Sequence, residues 1–159
     1  MKNIILGRRK DEVVEVDDED YDFLKKWKWS VNDNKRNKYA VRYLKKNNGI
    51  ETLSMHRVIM GVKNQNLVVD HIDGNGLNNK RNNLRICTFY ENRCNKKKPI
   101  TNTSGYKGVH FKKINQKWCA QITVRGVIRH LGYFKTAKEA HEAYCRAGEK
   151  YFGMYFNRG

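Results

Sequence analysis

The sequence predicts an α+β fold, organised as a small modular protein. Three observations predict it. Short β-branched or aromatic runs separated by polar turns fill the first 50 or so residues, a helix and two strands flank an asparagine-rich loop in the middle, and three short strands precede one amphipathic helix at the C-terminal end. The 159 residues suffice for one ordinary domain or for two or three small ones.

The N-terminal region, residues 1–53, is predicted to be β-rich with one helix. That helix begins in the acidic run at 17–20, where carboxylates meet the positive end of a helix dipole, so these acids are mainly structural. Trp27 and Trp29 fall on one face of a strand, which predicts that both indoles pack in the core. The predicted strands are Asn3 to Leu6, Val13 to Val16, Trp27 to Val31 and Tyr39 to Leu44.

The middle region, residues 54–98, changes pattern. A short helix starts at Met55 and is ended by Gly61, and a strand follows at 67–70. Residues 74–83 carry five Asn and two Gly without an apolar period, which predicts a loop. A second strand at 85–87 leads into a helix whose capping box is Thr88 and Glu91.

The C-terminal region begins after a tether that contains the only proline, so we place a linker at 99–104 and a last domain at 105–159. Strands are predicted at 108–112, 117–124 and 128–134. Thr136 and Glu139 form a capping box for the final helix. Its packing face is predicted to comprise Ala140, Ala143, Tyr144, Ala147 and Tyr151.

Composition limits the classes of partner. Thirty-three Lys and Arg against sixteen Asp and Glu give a formal charge of +17, and nine Tyr and three Trp are interleaved with the basic residues, which favours a nucleic acid partner. The sequence has neither an 18-residue apolar run nor a recognisable export signal, so we expect no membrane partner. The four cysteines form no Cys-x-x-Cys pair, which predicts reduced thiols in a cytoplasmic, intracellular protein.

One group of four polar residues points to a catalytic function. Asp70 and His71 stand where a strand gives way to a glycine turn, Asn83 follows His71 by twelve residues, and Asn92 follows Asn83 by nine. Phosphodiester hydrolysis needs a carboxylate and an imidazole of near-neutral pKa. Asp70 and His71 alone are better explained by a capping Asp and a buried His in an asparagine-rich surface loop, and only the whole spacing favours the chemical interpretation.

This stretch resembles the HNH family, the ββα-metal nucleases, in the asparagine-rich form found in phage and intron homing endonucleases. The matching residues are Met55-His56-Arg57, the run from Val69 to Asn75, Leu77, Asn82-Asn83-Leu84-Arg85 and Asn92. Residues 1–53 resemble only the leader that accompanies such phage nucleases.

The resemblance implies a role for each matching residue. His71 is the general base, Asp70 and Asn92 bind one divalent ion, and Asn83 orients the imidazole of His71. Oxygen ligands suit Mg²⁺ or Mn²⁺, and no structural zinc is expected. Many relatives have a histidine in place of Asn92. His56 supports the site or touches a phosphate, with support favoured.

The chain from Ser104 onward resembles the AP2 domain, a three-stranded sheet packed on one helix. The match includes the run from Gly105 to Val109, Trp118, Ala120-Gln121-Ile122, the run from Leu131 to Phe134, Thr136-Ala137, Glu139-Ala140, Ala143-Tyr144, Phe152-Gly153 and Asn157. The resemblance implies that the exposed face of the sheet contacts the major groove. The candidate residues are Lys107, His110, Lys112, Lys117, Trp118, Arg125 and Arg129.

Several of these candidates carry alternatives. His110 stands where related plant transcription factors often have an arginine, so their sequence preference does not transfer. Trp118 either lies on the DNA face or packs the sheet. Lys96, Lys97 and Lys98 form either a solvated linker or a basic tether that contacts DNA, and we favour DNA contact.

The sequence as a whole predicts a metal-dependent endonuclease that acts on double-stranded DNA as a monomer or weak dimer, with nicking expected from a monomer. The main alternative is a DNA-binding regulator with an inactive nuclease core. An RNA-binding protein is disfavoured because no RNA-binding motif accompanies the aromatic residues.

Overall fold

The computed structural model describes residues 2–7, 12–34, 37–96, 98–99 and 101–159. It is a mixed α+β structure with several small antiparallel sheets, in agreement with the predicted fold class. The chain divides into two compact units, Met1–Phe89 and Tyr90–Gly159. In the parts of the chain that the structure describes, no helix is long and apolar enough to cross a membrane.

The first unit contains three antiparallel sheets and two short helices. β1 pairs with β2, β3–β4–β5 form a meander, and β6 pairs with β7. The elements are β1 (Lys2–Ile5), β2 (Val13–Val16), α1 (Asp18–Leu24), β3 (Ser30–Asp33), β4 (Lys38–Lys46), β5 (Gly49–Ser54), α2 (Met55–Ile59), β6 (Leu67–His71) and β7 (Leu84–Thr88).

One hydrophobic core serves the whole first unit. Buried side chains from the N-terminal hairpin, such as Leu6 and Val14, belong to the same cluster as Met55 of α2, Val69 of β6 and Leu84 of β7. We predicted residues 1–53 as a region separate from 54–98, and the shared core joins them. The physical reason is size, because modules of about 50 residues bury too little apolar surface to be self-sufficient.

In this unit one predicted strand was misplaced and one strand was missed. Trp27 and Trp29 precede β3 instead of lying in it, and the strand begins at Ser30. The indole nitrogen of Trp29 donates a hydrogen bond of 2.9 Å to the carbonyl of Leu24, so Trp29 closes the end of α1 while both indoles still pack in the core. β5, which the sequence analysis missed, is largely polar and partly exposed, so it has no apolar period to detect.

The second unit begins with α3 (Phe89–Cys94), whose first residue still belongs to the first unit. Its sheet has the order β10–β9–β8 and packs one face on the long C-terminal helix. The predicted capping box of Thr136 and Glu139 is confirmed. The remaining elements are β8 (Val109–Lys112), β9 (Lys117–Val124), β10 (Val127–Phe134) and α4 (Ala137–Phe152).

The packing face of α4 differs in one position from the prediction. Tyr151 is 40% exposed, whereas Phe152 packs in the core. The buried positions Ala140, Tyr144 and Gly148 recur every four residues, which places Tyr151 at the border of this face.

The division between units falls nine residues before the predicted boundary. The cause is a set of contacts that tie residues 90–96 to the rest of the second unit. The Tyr90 hydroxyl accepts a hydrogen bond from the Arg125 backbone at 2.9 Å, and the Lys107 ammonium donates to the carbonyls of Cys94 and Lys96. Residues 90–96 therefore belong to the second unit.

Candidate functional site

Asp70 and His71 form the last two positions of β6, in register with Arg85 and Leu84 of β7. The strand ends there because the chain turns, with the amide of Gly74 donating to the carbonyl of His71 at 2.9 Å and a φ of +73° at Gly74 that favours glycine. Both predicted site residues are buried, at 7% and 5% exposure.

The Asp70 carboxylate is held by an arginine. Nε and Nη2 of Arg85 donate to Oδ2 of Asp70 at 2.9 and 2.7 Å, and both side chains are less than a tenth exposed. Pairing compensates the cost of burying each charge. The sequence analysis treated Asp70 only as a metal ligand and missed this partner, which stands directly opposite on β7.

The imidazole of His71 is enclosed by polar and aromatic neighbours. Its Nε2 lies 3.4 Å from Oδ1 of Asn79, the His56 ring meets it edge-on with centroids 5.0 Å apart, and the Tyr39 ring lies 5.9 Å away. Burial lowers the pKa of His71, and the Asn79 contact and the carboxylates of Asp73 and Asp70 offset part of that effect. A lowered pKa keeps the imidazole neutral at neutral pH, as a general base requires.

The loop after His71 is an ordered network of asparagine and aspartate side chains. Asp73 accepts hydrogen bonds from the amide of Asn75 at 2.7 Å and from the side chains of Asn78 at 2.8 Å and Asn83 at 3.0 Å. These bonds together lower the pKa of Asp73 although its desolvation opposes them. Short polar side chains satisfy turn backbone locally, which explains the composition of the loop.

Asn83 is buried, and its side chain serves this loop. Its Oδ1 accepts from the amide of Asp73 at 3.1 Å, and its Nδ2 donates to Asp73 and to the carbonyl of Asn78. Its own carbonyl accepts from the amide of Ile72 at 2.9 Å. These contacts fix the backbone directly after His71, so any effect of Asn83 on the imidazole through them is indirect. The predicted orienting role stays a prediction.

His56 lies at the first turn of α2 and packs against both His71 and Tyr39. Among the residues that the structure describes, none gives its buried Nδ1 a hydrogen bond. Burial, with smaller contributions from His71 and Arg57, lowers the pKa of His56 to about 3. A neutral histidine is a poor phosphate ligand, so the geometry favours support of the site over phosphate contact.

Tyr39 and Asn79 are site residues that the sequence analysis missed, and Arg85 entered it only as part of the family match, without its contact to Asp70. Tyr39 comes from β4, and the close approach of Gly76 holds it, since a Cβ on Gly76 would lie 2.6 Å from the ring. Asn79 is fully buried among asparagines that are otherwise similar in sequence. Only the register of β6 and β7 shows that Arg85 faces Asp70. No local sequence pattern distinguishes Tyr39 or Asn79.

The remaining predicted metal ligand, Asn92, lies in α3, which follows β7 without an intervening residue. It belongs to the second unit, so its part in the site stays a prediction. Within the described ranges, three acidic side chains lie close enough together to hold a metal ion. They are Asp17, Glu19 and Asp20. Arg81 pairs with Asp20 at 2.7 Å and with Glu19 at 2.9 Å, so these acids have a structural partner.

The second unit presents a sheet face that α4 does not cover. Residues directly opposite in an antiparallel pair share a face, and Val109 with Ala120 points into the core against α4. His110, Lys112 and Lys117 therefore point away from α4. Because side chains alternate between the two faces of a strand, further residues share this face. The sequence analysis did not name them as candidates, and they are Gln121, Thr123, His130 and Tyr133.

Three predicted DNA-contacting residues do not point from this open face. Trp118 packs against the core on the α4 side, so the packing interpretation of its indole is the one found. The Arg129 guanidinium lies 5.4 Å from the ring centroid of Tyr151 on α4. The Lys107 ammonium also donates to the carbonyl of Asn157 at 2.8 Å, and its burial lowers its pKa.

The other basic candidates lie in turns or in the predicted tether. Arg125 is exposed in the turn between β9 and β10 with a φ of +48°. Lys96 and Lys98 are exposed, and the Lys98 ammonium donates to the carbonyl of Gly105 at 2.7 Å. Lys97 lies outside the described residues.

Comparison with known proteins finds two distant relatives. Protein 3.8 of Escherichia phage T7 is 45% identical over 58 residues, which is 36% of this chain and 48% of that protein. A protein of Acanthamoeba polyphaga mimivirus, named as an uncharacterized HNH endonuclease, is 29% identical over 157 residues, which is 95% of this chain and 76% of that protein. The chain thus spans about half of the phage protein and three quarters of the mimivirus protein.

No family model matches the chain. No solved structure matches it. What the comparisons support is a distant relationship to a protein named as an HNH endonuclease.

Proposed function

We propose that the chain is a metal-dependent endonuclease of the HNH type that hydrolyses phosphodiester bonds in double-stranded DNA. The observation that carries the proposal is His71, a buried histidine at the end of a strand, next to a buried carboxylate and in front of an ordered polar loop. The distant relative named as an HNH endonuclease supports the same reaction class.

In the proposed reaction, His71 accepts a proton from a water molecule. The oxygen of that water forms a bond to phosphorus while the bond from phosphorus to the leaving sugar oxygen breaks. The loop held by Asn83 and Asp73 keeps the chain directly after His71 in one conformation, so the imidazole does not lose its position when substrate arrives.

The donor atoms fit a hard divalent cation, because Asp70 and Asn92 offer a carboxylate and an amide oxygen. When bound, Mg²⁺ or Mn²⁺ would neutralise charge on the phosphate and on the leaving oxygen.

We propose further that the open sheet face of the second unit, in an AP2-like arrangement, binds DNA. Residues 90–159 contain fifteen Lys and Arg against four Glu, a net charge of +11. Lys112 and Lys117 stand directly opposite each other and are exposed. Like charges in such a pair are unfavourable in the free protein, and a phosphate placed between them would relieve the repulsion.

Plasmid nicking tests the nuclease proposal. Purified protein is incubated with supercoiled DNA in Mg²⁺, in Mn²⁺ and in chelator, beside His71→Ala, His71→Gln and the exposed control Asn82→Ala. We expect metal-dependent nicking that falls by about 10²- to 10⁴-fold in both His71 variants, the range for loss of a general base. DNA affinity and thermal unfolding of His71→Gln should stay near those of the wild type.

DNA binding without cutting in any metal would support the alternative, a DNA-binding regulator with an inactive nuclease core. The sheet is tested separately by the salt dependence of DNA affinity. Lys112→Ala and Lys117→Ala should each reduce the slope of log affinity against log salt by about 1. Slopes equal to that of the wild type would argue against the open face.

A further inference from the structure

Asn79 occupies a position that the proposed catalytic set does not use. It is fully buried, at 0% exposure, in the loop between His71 and Asn83. Its amide nitrogen Nδ2 donates to the carbonyl of Gly76 at 3.2 Å, and its Oδ1 faces Nε2 of His71 at 3.4 Å. The second distance is at the long end of hydrogen-bond lengths, as is common for catalytic contacts before substrate binds.

The N-terminal hairpin holds the backbone of Asn79. Its amide donates to the carbonyl of Glu15 on β2 at 2.8 Å, and the amide of Glu15 donates to the carbonyl of Leu77 at 2.9 Å. Glu15 and Asn78 form an isolated parallel bridge. The side chain of Asn79 is thus directed at His71 by a strand that lies more than 50 residues earlier in the sequence.

The contact with Gly76 decides which end of the amide faces the imidazole. A flipped amide would set Oδ1 against the Gly76 carbonyl, which places two acceptors together and leaves both without a donor. With Oδ1 toward His71, the amide can only accept, so the hydrogen must reside on Nε2. A neutral imidazole with its hydrogen on Nε2 has its lone pair on Nδ1.

We propose that Asn79 is a positioning residue that fixes His71 in the tautomer with hydrogen on Nε2, so that Nδ1 is the nitrogen that accepts the proton from water. The inference rests on the proposed function of His71 as the general base. It assigns to Asn79 the direct contact with the imidazole that the sequence analysis expected of Asn83, whose side chain is engaged with Asp73 and the carbonyl of Asn78.

The tautomer is measured directly by two-bond proton–nitrogen NMR correlations of the His71 ring in the full chain, at a pH where the ring is neutral. The wild type should show hydrogen on Nε2. Asn79→Leu removes this acceptor and should lower the share of the tautomer with hydrogen on Nε2. Asn79→Asp keeps an acceptor and should retain the Nε2–H form. Asn82→Asp is the matched control, an exposed asparagine of the same loop whose change should leave the His71 spectrum unaltered.

Nicking kinetics give the second measurement. Asn79→Leu should lower kcat by roughly 10- to 100-fold, the range for partners that fix an imidazole's tautomer, with KM little changed because no substrate contact is lost. Asn79→Asp should recover most of the loss, which a purely structural role would not predict. An equal loss in both variants would overturn the proposal.

A wild-type ring with hydrogen on Nδ1 would also overturn the proposal, whatever the nicking assay shows. If the wild type cuts no DNA, the nuclease function fails, yet the spectra still decide whether Asn79 sets the tautomer. The two hypotheses therefore fail separately.

Discussion

The two units differ in the burial of their candidate functional side chains and in their net charge. In the first, the candidate catalytic groups are buried and bonded to one another, and residues 1–89 carry eighteen Lys and Arg against twelve Asp and Glu, a net charge of +6. In the second, three of the candidate DNA-contacting residues, His110, Lys112 and Lys117, stand on an open sheet face, and the net charge of residues 90–159 is +11. Buried chemistry thus contrasts with an exposed charged surface.

This contrast determines how each region should respond to substitution. In a buried network every side chain satisfies another, so removing one partner leaves a desolvated group and effects on neighbours are not additive. On an exposed face each lysine acts almost alone through a screened field, so effects are small and additive. The following substitutions test whether the two regions differ in this way.

The largest effect is expected at the buried ion pair. Arg85→Leu leaves the Asp70 carboxylate buried without its guanidinium, and should lower the free energy of unfolding by about 3–5 kcal/mol. The double variant Asp70→Leu/Arg85→Leu should recover much of that loss, since no charge is then left unpaired. Chemical denaturation measures both. Equal losses in the single and double variants would show that packing, not charge, is lost.

Trp118 and Lys117 compare the two faces of β9. Trp118→Ala should cost about 2–4 kcal/mol, somewhat below the loss for a fully buried tryptophan, because its indole packs against the α4 side of the sheet. Lys117→Ala should stay within about 0.5 kcal/mol in stability. Weaker DNA binding by Trp118→Ala with stability unchanged would instead place the indole on the DNA surface.

Gly76→Ala tests the packing behind the imidazole. A Cβ at this position would lie 2.3 Å from the Lys38 carbonyl oxygen and 2.6 Å from the Tyr39 ring, so overpacking should cost about 1–3 kcal/mol and reduce nicking by displacing Tyr39. Gly61→Ala is the control, because its φ of +64° brings backbone strain while its Cβ meets open space. Similar nicking by both variants would remove Tyr39 from the site.

The last prediction concerns pH and His56, whose effect is small near neutral pH and grows as the pH falls. Its folded pKa of about 3 lies below the ordinary value of 6.5, so between those values the unfolded chain binds a proton that the folded chain excludes. Stability should therefore fall as the pH falls below 6.5, by up to about 1.4 kcal/mol per pH unit from this group. His56→Phe keeps an aromatic ring and cannot titrate, so its stability should fall less steeply. Parallel curves for the two proteins would contradict the assigned burial.

Much of the fold could be predicted because its signals are local. Capping residues and alternating apolar positions gave β2, β9 and the start of α4 at the observed residues. The failures were also physical. β5 has no apolar period to detect, and the shared core of the first unit arises from contacts between strands far apart in the sequence.

For the site, the sequence was sufficient to bring His71, Asp70 and Asn83 into consideration, since their residue types and spacing resemble a known nuclease pattern. It could not distinguish among the asparagines of the loop. Asn75, Asn78, Asn79 and Asn83 are chemically alike, and their differences in burial and bonding come from the strands around them.

By itself, the sequence determined the α+β class, the excess of positive charge and the pair of Asp70 and His71 at a strand end, because composition and short-range periodicity carry those properties. Only the tertiary structure decided that Arg85 neutralises Asp70, that Asn79 faces the imidazole, and that Trp118 and Arg129 lie on the α4 side of their sheet. Those outcomes depend on strand register and on contacts over long sequence separations, which no local pattern encodes.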